Sequence, residues 1–263
     1  MFKVDIKTVP NLLAKISLFA TICVFIVQSI SKRWFWPQLW PNNFEFEETL
    51  SNFGDAIPLL WTTFIVAALV SLIGIILSAP LAWLIYNIGQ KYRIVLILLV
   101  LFPALIPPVV SGIGYSIWFI KIDFDGNTAA VVAAHLLISL PYMLGIALSI
   151  LFRQDRELFE ASAGLGWSGD QIFFRIALPL MRAGLYLAAF VGFTISWGQY
   201  LLTVLVGNGQ VVTLPMVVVS LATSADQTRF AALVLITMLV PALVTVLYHK
   251  VLNKTGEYEF ANT

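Results

Sequence analysis

A chain of 263 residues in which 60% are hydrophobic and 11% charged falls far below the roughly 25% charged residues of an average soluble protein, so most of it belongs in lipid. A net charge of +1 with no basic patch leaves no footprint for nucleic acid. The single cysteine, Cys23, lies in an apolar run, which excludes disulfides within the chain and cysteine metal clusters and makes it a packing residue.

Six membrane-spanning helices are predicted. A basic tail, Met1 to Asn11 with Lys3 and Lys7, precedes the first, Leu12 to Ile30. This run has about the 20 residues a spanning helix needs, and Gln28-Ser29-Ile30-Ser31-Lys32-Arg33 offers no Ala-x-Ala cleavage site, so an uncleaved helix is expected. Ser31 to Asp55 is polar. Its Trp34, Phe35, Trp36 and Trp40 suit an interfacial aromatic belt, while Glu45, Glu47 and Glu48 give it an acidic surface open to a soluble partner outside. A second span is expected over Ile57 to Ile85, with a turn over Asn87 to Arg93. The third, Ile94 to Ile120, holds Pro103, Pro107 and Pro108, with Gly112 and Gly114 beyond. Such breakers kink a helix, and in a bilayer the freed carbonyls need other partners. Asp123, Asp125 and Gly126 then form a turn, without the remaining ligands of a calcium loop. The fourth span, Ala129 to Leu151, contains His135 and Pro141.

Arg153 to Pro179 is the most densely charged connection and reads as two short helices separated by glycine. In the first, Arg153 with Glu157 and Arg156 with Glu160 place opposite charges four residues apart, and Leu158, Phe159, Ala161 and Leu165 supply apolar surface. Gly164 and Gly166 interrupt it. Ser168 with Gln171 has the form of a capping box, so a second helix is predicted from Gly169, ending at Pro179, with Ile172, Phe173, Ile176 and Leu180 on one face. The fifth span, Met181 to Val206, contains Ser196-Trp197-Gly198-Gln199-Tyr200. A polar loop, Gly207 to Thr228, includes Thr213-Leu214-Pro215 and an apolar stretch, Met216 to Ala222, too short to span. The sixth span is Phe230 to Tyr248.

With six spans, Lys3, Lys7, Lys15, Lys91, Arg93, Arg153, Arg156, Arg175, Arg182, Lys250 and Lys254 fall on or near one side, and Lys32, Arg33, Lys121 and Arg229 on the other. The positive-inside rule puts the first side, both termini and the Arg153 to Pro179 stretch in the cytoplasm.

The spacing of Glu160-Ala161-Ser162, Gly166, Ile176 and Leu178-Pro179 resembles the EAA loop of permease subunits in binding-protein-dependent ATP-binding-cassette importers of type I. Ser162 stands where the family has alanine. The likeness extends over roughly Ala129 to Pro215 and is to importers for polyamines, thiamine, ferric iron and related small solutes. It implies an all-α integral membrane protein whose single permease domain, residues 1–263, sits in a bacterial inner membrane, with a short cytoplasmic coupling helix between helices 4 and 5. It further implies that Glu160, Ala161, Ser162, Gly166, Ile176, Leu178 and Pro179 couple the chain to an ATPase. The partners implied are two ATPase subunits holding ATP and magnesium, a second permease, identical or related, and a periplasmic or extracellular solute-binding protein, in addition to membrane lipid. Polyamine permeases commonly carry acidic residues where Trp197, Gly198 and Gln199 stand, which weakens that substrate class.

No G-x-x-x-x-G-K-[ST] phosphate loop, H-E-x-x-H or G-x-S-x-G occurs, so a non-catalytic subunit without cofactor or metal is expected. His135, Trp197, Gln199 and Tyr200 are candidates for the solute path. His135 is equally suited to hydrogen-bonding a neighbouring helix. The alternative function is a proton-coupled secondary transporter or channel, in which His135 would be the ionisable group.

Overall fold

The structure is a computed structural model. It describes residues 9–254 except 33, 35 and 36, with side chains placed from 15 to 250. The expectations attached to Lys3, Lys7, Arg33, Phe35 and Trp36 lie outside the described residues. The order of helices is α1 (Val9–Ile30), α2 (Phe46–Asn87), α3 (Gln90–Leu105), α4 (Pro108–Lys121), α5 (Thr128–Leu151), α6 (Arg156–Gly164), α7 (Gly169–Ile172), α8 (Leu178–Trp197), α9 (Leu201–Gly207), α10 (Leu214–Leu221) and α11 (Gln227–Lys254). A π-helical turn, Phe173–Ala177, joins α7 to α8. The chain packs as two compact units, one of Leu214–Val240 with the chain up to Leu60, the other of Trp61–Thr213 with the chain from Pro241.

In the first unit the end of α1 and the starts of α2 and α11 are tied by polar contacts. Ser31 and Phe44 form an antiparallel bridge, Lys32 pairs with Glu45, and the hydroxyls of Thr49 and Thr228 donate to the carbonyls of Ser29 and Ser31, each at 2.7 Å. Phe25 meets Phe230 edge to face, with centroids 6.2 Å apart. The polar stretch expected before Ile57 is in part helix. Thr49, Asn52, Ala56 and Thr63 are buried at helical spacing, so α2 starts at Phe46 with Glu47 and Glu48 in its first turn, where carboxylates complement the helix dipole. Its 42 residues run about 63 Å at 1.5 Å per residue, twice the hydrocarbon thickness.

The second unit is arranged around α5. Asn127 caps it, accepting a hydrogen bond from the Ala130 amide at 2.9 Å, and 61% of its most apolar window is buried against 22–39% for the other long helices. Met143 of α5 lies where α2 and α8 each present a glycine. A Cβ on Gly74 or Gly192 would stand within 2.5 Å of its sulfur, so a side chain at either position obliges Met143 to move.

The third span is not a kinked rod. It is two helices, α3 and α4, meeting at 98°. Pro103 lies within α3 without ending it. The break comes at Ile106–Pro107, because the residue before proline is driven to extended geometry, and Pro108 then opens α4 at its first turn. Leu96, Ile97 and Val100 of α3 join the cluster at the C-terminal end of α5, while Phe119 of α4 clusters with Ala130 and Ala134 near its start. The pair thus packs against both ends of α5. By length and composition the described residues hold four spans, α2, α5, Gly169–Trp197 and α11, and five where the bent pair counts as one. α1 is a 22-residue helix whose side chains are described from Lys15 onward, an apolar run over Lys15–Ile30.

The fifth span also divides, into α8 and α9 about Gly198–Tyr200, and the short apolar stretch expected near Met216 is α10. Pro179 does not end a helix as expected. The preceding π turn, in which the Leu178 amide donates to the Phe173 carbonyl, shifts the ladder by one residue just before the proline, so its missing N–H falls in the first turn of α8.

Replacing Gly192 by alanine is expected to lower the thermal midpoint in detergent by an amount consistent with overpacking, about 1–3 kcal/mol. Adding Met143→Ala should recover part of that loss in the double variant. Strictly additive losses, read by thermal scanning, would contradict the wedge.

Candidate functional site

The Arg153–Pro179 stretch is built onto the second unit by its aromatic residues. α6 buries one side chain, Phe159, whose ring stands edge to face against Trp83 at 5.3 Å and Tyr86 at 5.5 Å, both from the end of α2. Ile172 and Phe173 enter the same cluster, which includes Ala82 and Ile85 of α2 and Leu148 and Leu151 of α5. Burying side chains of this size contributes roughly 1.5–3 kcal/mol each, far above the few tenths of an exposed ion pair. Arg156 and Glu160 form such a pair at 2.8 Å on the exposed side. Arg153 sits in the turn ahead of α6, so it does not share a helical face with Glu157 as the spacing suggested.

The end of α2 is closed by a residue the sequence did not single out. Arg93, in the first turn of α3, donates from Nε to the Ile85 carbonyl at 3.1 Å and from Nη2 to those of Tyr86 and Ile88 at 2.7 and 3.3 Å. Its guanidinium also lies 5.4 Å from the Phe152 ring centroid. A cation here satisfies the orphan carbonyls of a helix C-terminus and its negative dipole end.

The glycine of the pattern has a defined backbone task. α6 closes in a Schellman motif, in which the Gly166 amide donates to the Ala163 carbonyl at 2.9 Å and the Trp167 amide to that of Ser162 at 3.2 Å. Gly166 adopts φ +87°, a left-handed conformation costing an L-residue about 1–2 kcal/mol. Ser168 then opens α7 with a complete capping box, as the sequence predicted. The Arg175 guanidinium, 5.6 Å from the Trp167 ring centroid, spans the elbow. Glu160 and Ala161 are exposed, together with Leu158 and Leu165, the latter 80% exposed, whereas Ile176 and Leu178 pack against the cluster. Ser162, half-buried, bonds its hydroxyl to the Leu158 carbonyl at 2.8 Å, and Pro179 is exposed. The stretch thus has one face fixed to the membrane helices and one apolar face turned outward.

The four path candidates gather at the α8–α9 break but differ in exposure. His135 and Trp197 are buried, the indole stacked on Phe193 at 5.7 Å. Gln199 is half-buried and Tyr200 is 39% exposed. His135 Nδ1 lies 2.9 Å from the Ser196 hydroxyl and Nε2 lies 3.1 Å from that of Thr203. The role of Thr203 was missed in the sequence, although it stands one helical turn beyond Gln199.

A sequence profile of the family described as binding-protein-dependent transport system inner membrane component matches residues 8–255. Over 165 residues the chain is 34% identical to the inner membrane ABC transporter permease protein YnjC of Escherichia coli (strain K12), covering 62% of this chain and 31% of that one, so it spans only about a third of that relative. Over 244 residues it is 25% identical to the spermidine/putrescine transport system permease protein PotB of Haemophilus influenzae, covering 83% and 85%. A crystal structure of a bacterial ABC transporter involved in import of the acidic polysaccharide alginate contains a chain of the same fold, with a TM-score of 0.69 at 14% identity over 94% of this chain and 97% of that one.

Gly166→Ala and Gly164→Ala should have opposite effects. A Cβ meets nothing within 4 Å at either site, so only backbone conformation separates them. Amide exchange across 156–172 is expected to speed up roughly 5–30-fold in Gly166→Ala and to slow or stay level in Gly164→Ala, which lies within the helix. Equal behaviour by exchange mass spectrometry would contradict the Schellman assignment.

Proposed function

The chain belongs to the binding-protein-dependent transport system inner membrane components, a family of multi-pass ABC importer permeases, and from that premise we propose that it forms half of a solute path and is driven through residues 153–179. The observation that carries this reading is the two-faced α6: Phe159 is set among the rings of α2 while Leu158, Ala161 and Leu165 face outward as apolar surface awaiting a protein partner.

In this reading Glu160, Ala161 and Ser162 lie on the contact with a separate ATPase, and Gly166 sets the elbow. Ile176, Leu178 and Pro179 connect that elbow to α8. Two ATPase subunits hold ATP and magnesium, and their closure displaces α6 as a lever fixed to α2, α5 and α8. A second permease completes the path, and a solute-binding protein delivers solute at the opposite face. The loop and both termini lie in the cytoplasm, supported by the excess of Lys and Arg on that side. Gln199 and Tyr200, half-buried and exposed at a break in a spanning helix, line the path, because non-helical backbone at membrane depth is tolerated where it is enclosed by protein or borders a cavity.

Purified through a tag from native membranes in mild detergent, the chain is expected to bring down a phosphate-loop ATPase and a second permease, identified by mass spectrometry. Gly166→Pro should insert normally but retain about tenfold less ATPase, because proline cannot take positive φ. Recovery of the chain alone, or full ATPase retention by Gly166→Pro, would count against the coupling assignment.

A further inference from the structure

His135 belongs to a hydrogen-bond chain whose direction follows from proton counting. The Thr203 hydroxyl donates to the Gln199 carbonyl at 3.2 Å. With its proton committed to Gln199, the hydroxyl accepts from His135 Nε2–H at 3.1 Å. In the neutral imidazole Nδ1 then accepts from the Ser196 hydroxyl at 2.9 Å. This Nε2–H tautomer is an assignment from the hydrogen-bond partners, and with it the chain runs from Ser196 through His135 and Thr203 to the Gln199 carbonyl.

Its placement gives it a task. Ser196 is in the last turn of α8, Thr203 is in α9, and the residues between include the interruption Gly198–Tyr200. His135 on α5 bridges that interruption from behind, and the Ser139 hydroxyl bonds back to the His135 carbonyl at 2.9 Å. His135, Ser196 and Thr203 are each at most 2% exposed, so no solute reaches them, while Gln199 and Tyr200 stand on the open side.

We propose that His135 is a positioning residue for the solute path: through Thr203 it fixes the Gln199 peptide, and with it the direction in which Gln199 and Tyr200 project, without touching solute. This rests on the assignment of Gln199 and Tyr200 to the path. A packed histidine with a merely structural role would be replaceable by any side chain of similar volume. A positioning role requires a donor at the place of Nε2 in particular. Glutamine supplies one there, asparagine reaches only the place of Nδ1, and leucine supplies neither.

The test uses the importer assembled with its partners. In a Cys23→Ser background Tyr200→Cys carries the chain's one thiol, and its rate of reaction with a water-soluble maleimide reports how the break is presented. His135→Leu, His135→Asn and the near-isosteric Thr203→Val are each expected to change that rate on the order of tenfold, as when a buried partner is lost. His135→Gln should remain within about twofold of the parent, keeping the donor. Ile122→Cys, exposed just past the end of α4 and outside both the coupling stretch and the break, reports the integrity of the fold and should react alike in all of them. Parent-like rates in His135→Leu and Thr203→Val would overturn the proposal, as would His135→Gln behaving like His135→Leu while Ile122→Cys reacts normally. The path assignment fails on a different result, unaltered turnover of the importer once Tyr200→Cys has been alkylated, so the two failures are distinguishable.

Discussion

The ring of Phe159, held between Trp83 and Tyr86, is the contact on which the rest of the structure's use depends. A loop that only passed between two membrane helices would dissipate any force applied to it. In the proposed coupling role the force would meet a helix whose buried side chain shares a cluster with the end of α2, the end of α5 and the base of α8. The stiffness comes from burial. Phe159, Ile172 and Phe173 together outweigh the exposed Arg156–Glu160 pair by roughly an order of magnitude. Arg93 strengthens the same corner by closing two carbonyls of α2 and that of Ile88 just past its end, and the Schellman turn followed by a capping box leaves little slack between α6 and α7.

Lipid imposes the second constraint, since polar groups without water must find partners inside the protein. Ser71 donates to the Ala189 carbonyl and Ser116 to that of Leu205, joining neighbouring helices. The same rule makes the two interrupted spans informative. At the α8–α9 break the Gln199 carbonyl is met by a hydroxyl that is itself met by His135. The chain thus leaves its helix after Trp197 with the Gln199 carbonyl still bonded, and Tyr200 is exposed.

Much of this was legible in the sequence, and the misreadings share a physical cause. The capping box at Ser168 and the i, i+4 pair of Arg156 and Glu160 are local, so residue type and spacing suffice for both. Pro179 was misread as a stop because the π turn that accommodates it depends on where Phe173 and Ala177 pack, which no local rule contains. The start of α2 was missed because its buried stripe is Thr49, Asn52 and Ala56, polar or small residues that carry little hydropathy. At the candidate path, His135 and Gln199 stood out by polarity in an apolar run. That His135 faces Ser196 and Thr203, some 60 residues away in sequence and out of reach of solute, is tertiary information. The outward face of α6 was readable as amphipathic, but only packing shows that Phe159 is the inward residue and that Leu158 and Leu165 are the outward ones.

The central claim is that this outward face meets an ATPase. It is tested most directly by a photoactivatable crosslinker on Leu165→Cys, with Cys23→Ser, in native membranes. The account requires an adduct with a phosphate-loop ATPase from this position, and none when the same group is placed on Val204, which is exposed on α9. An adduct with any other protein, or equal yield of the ATPase from both positions, would contradict it.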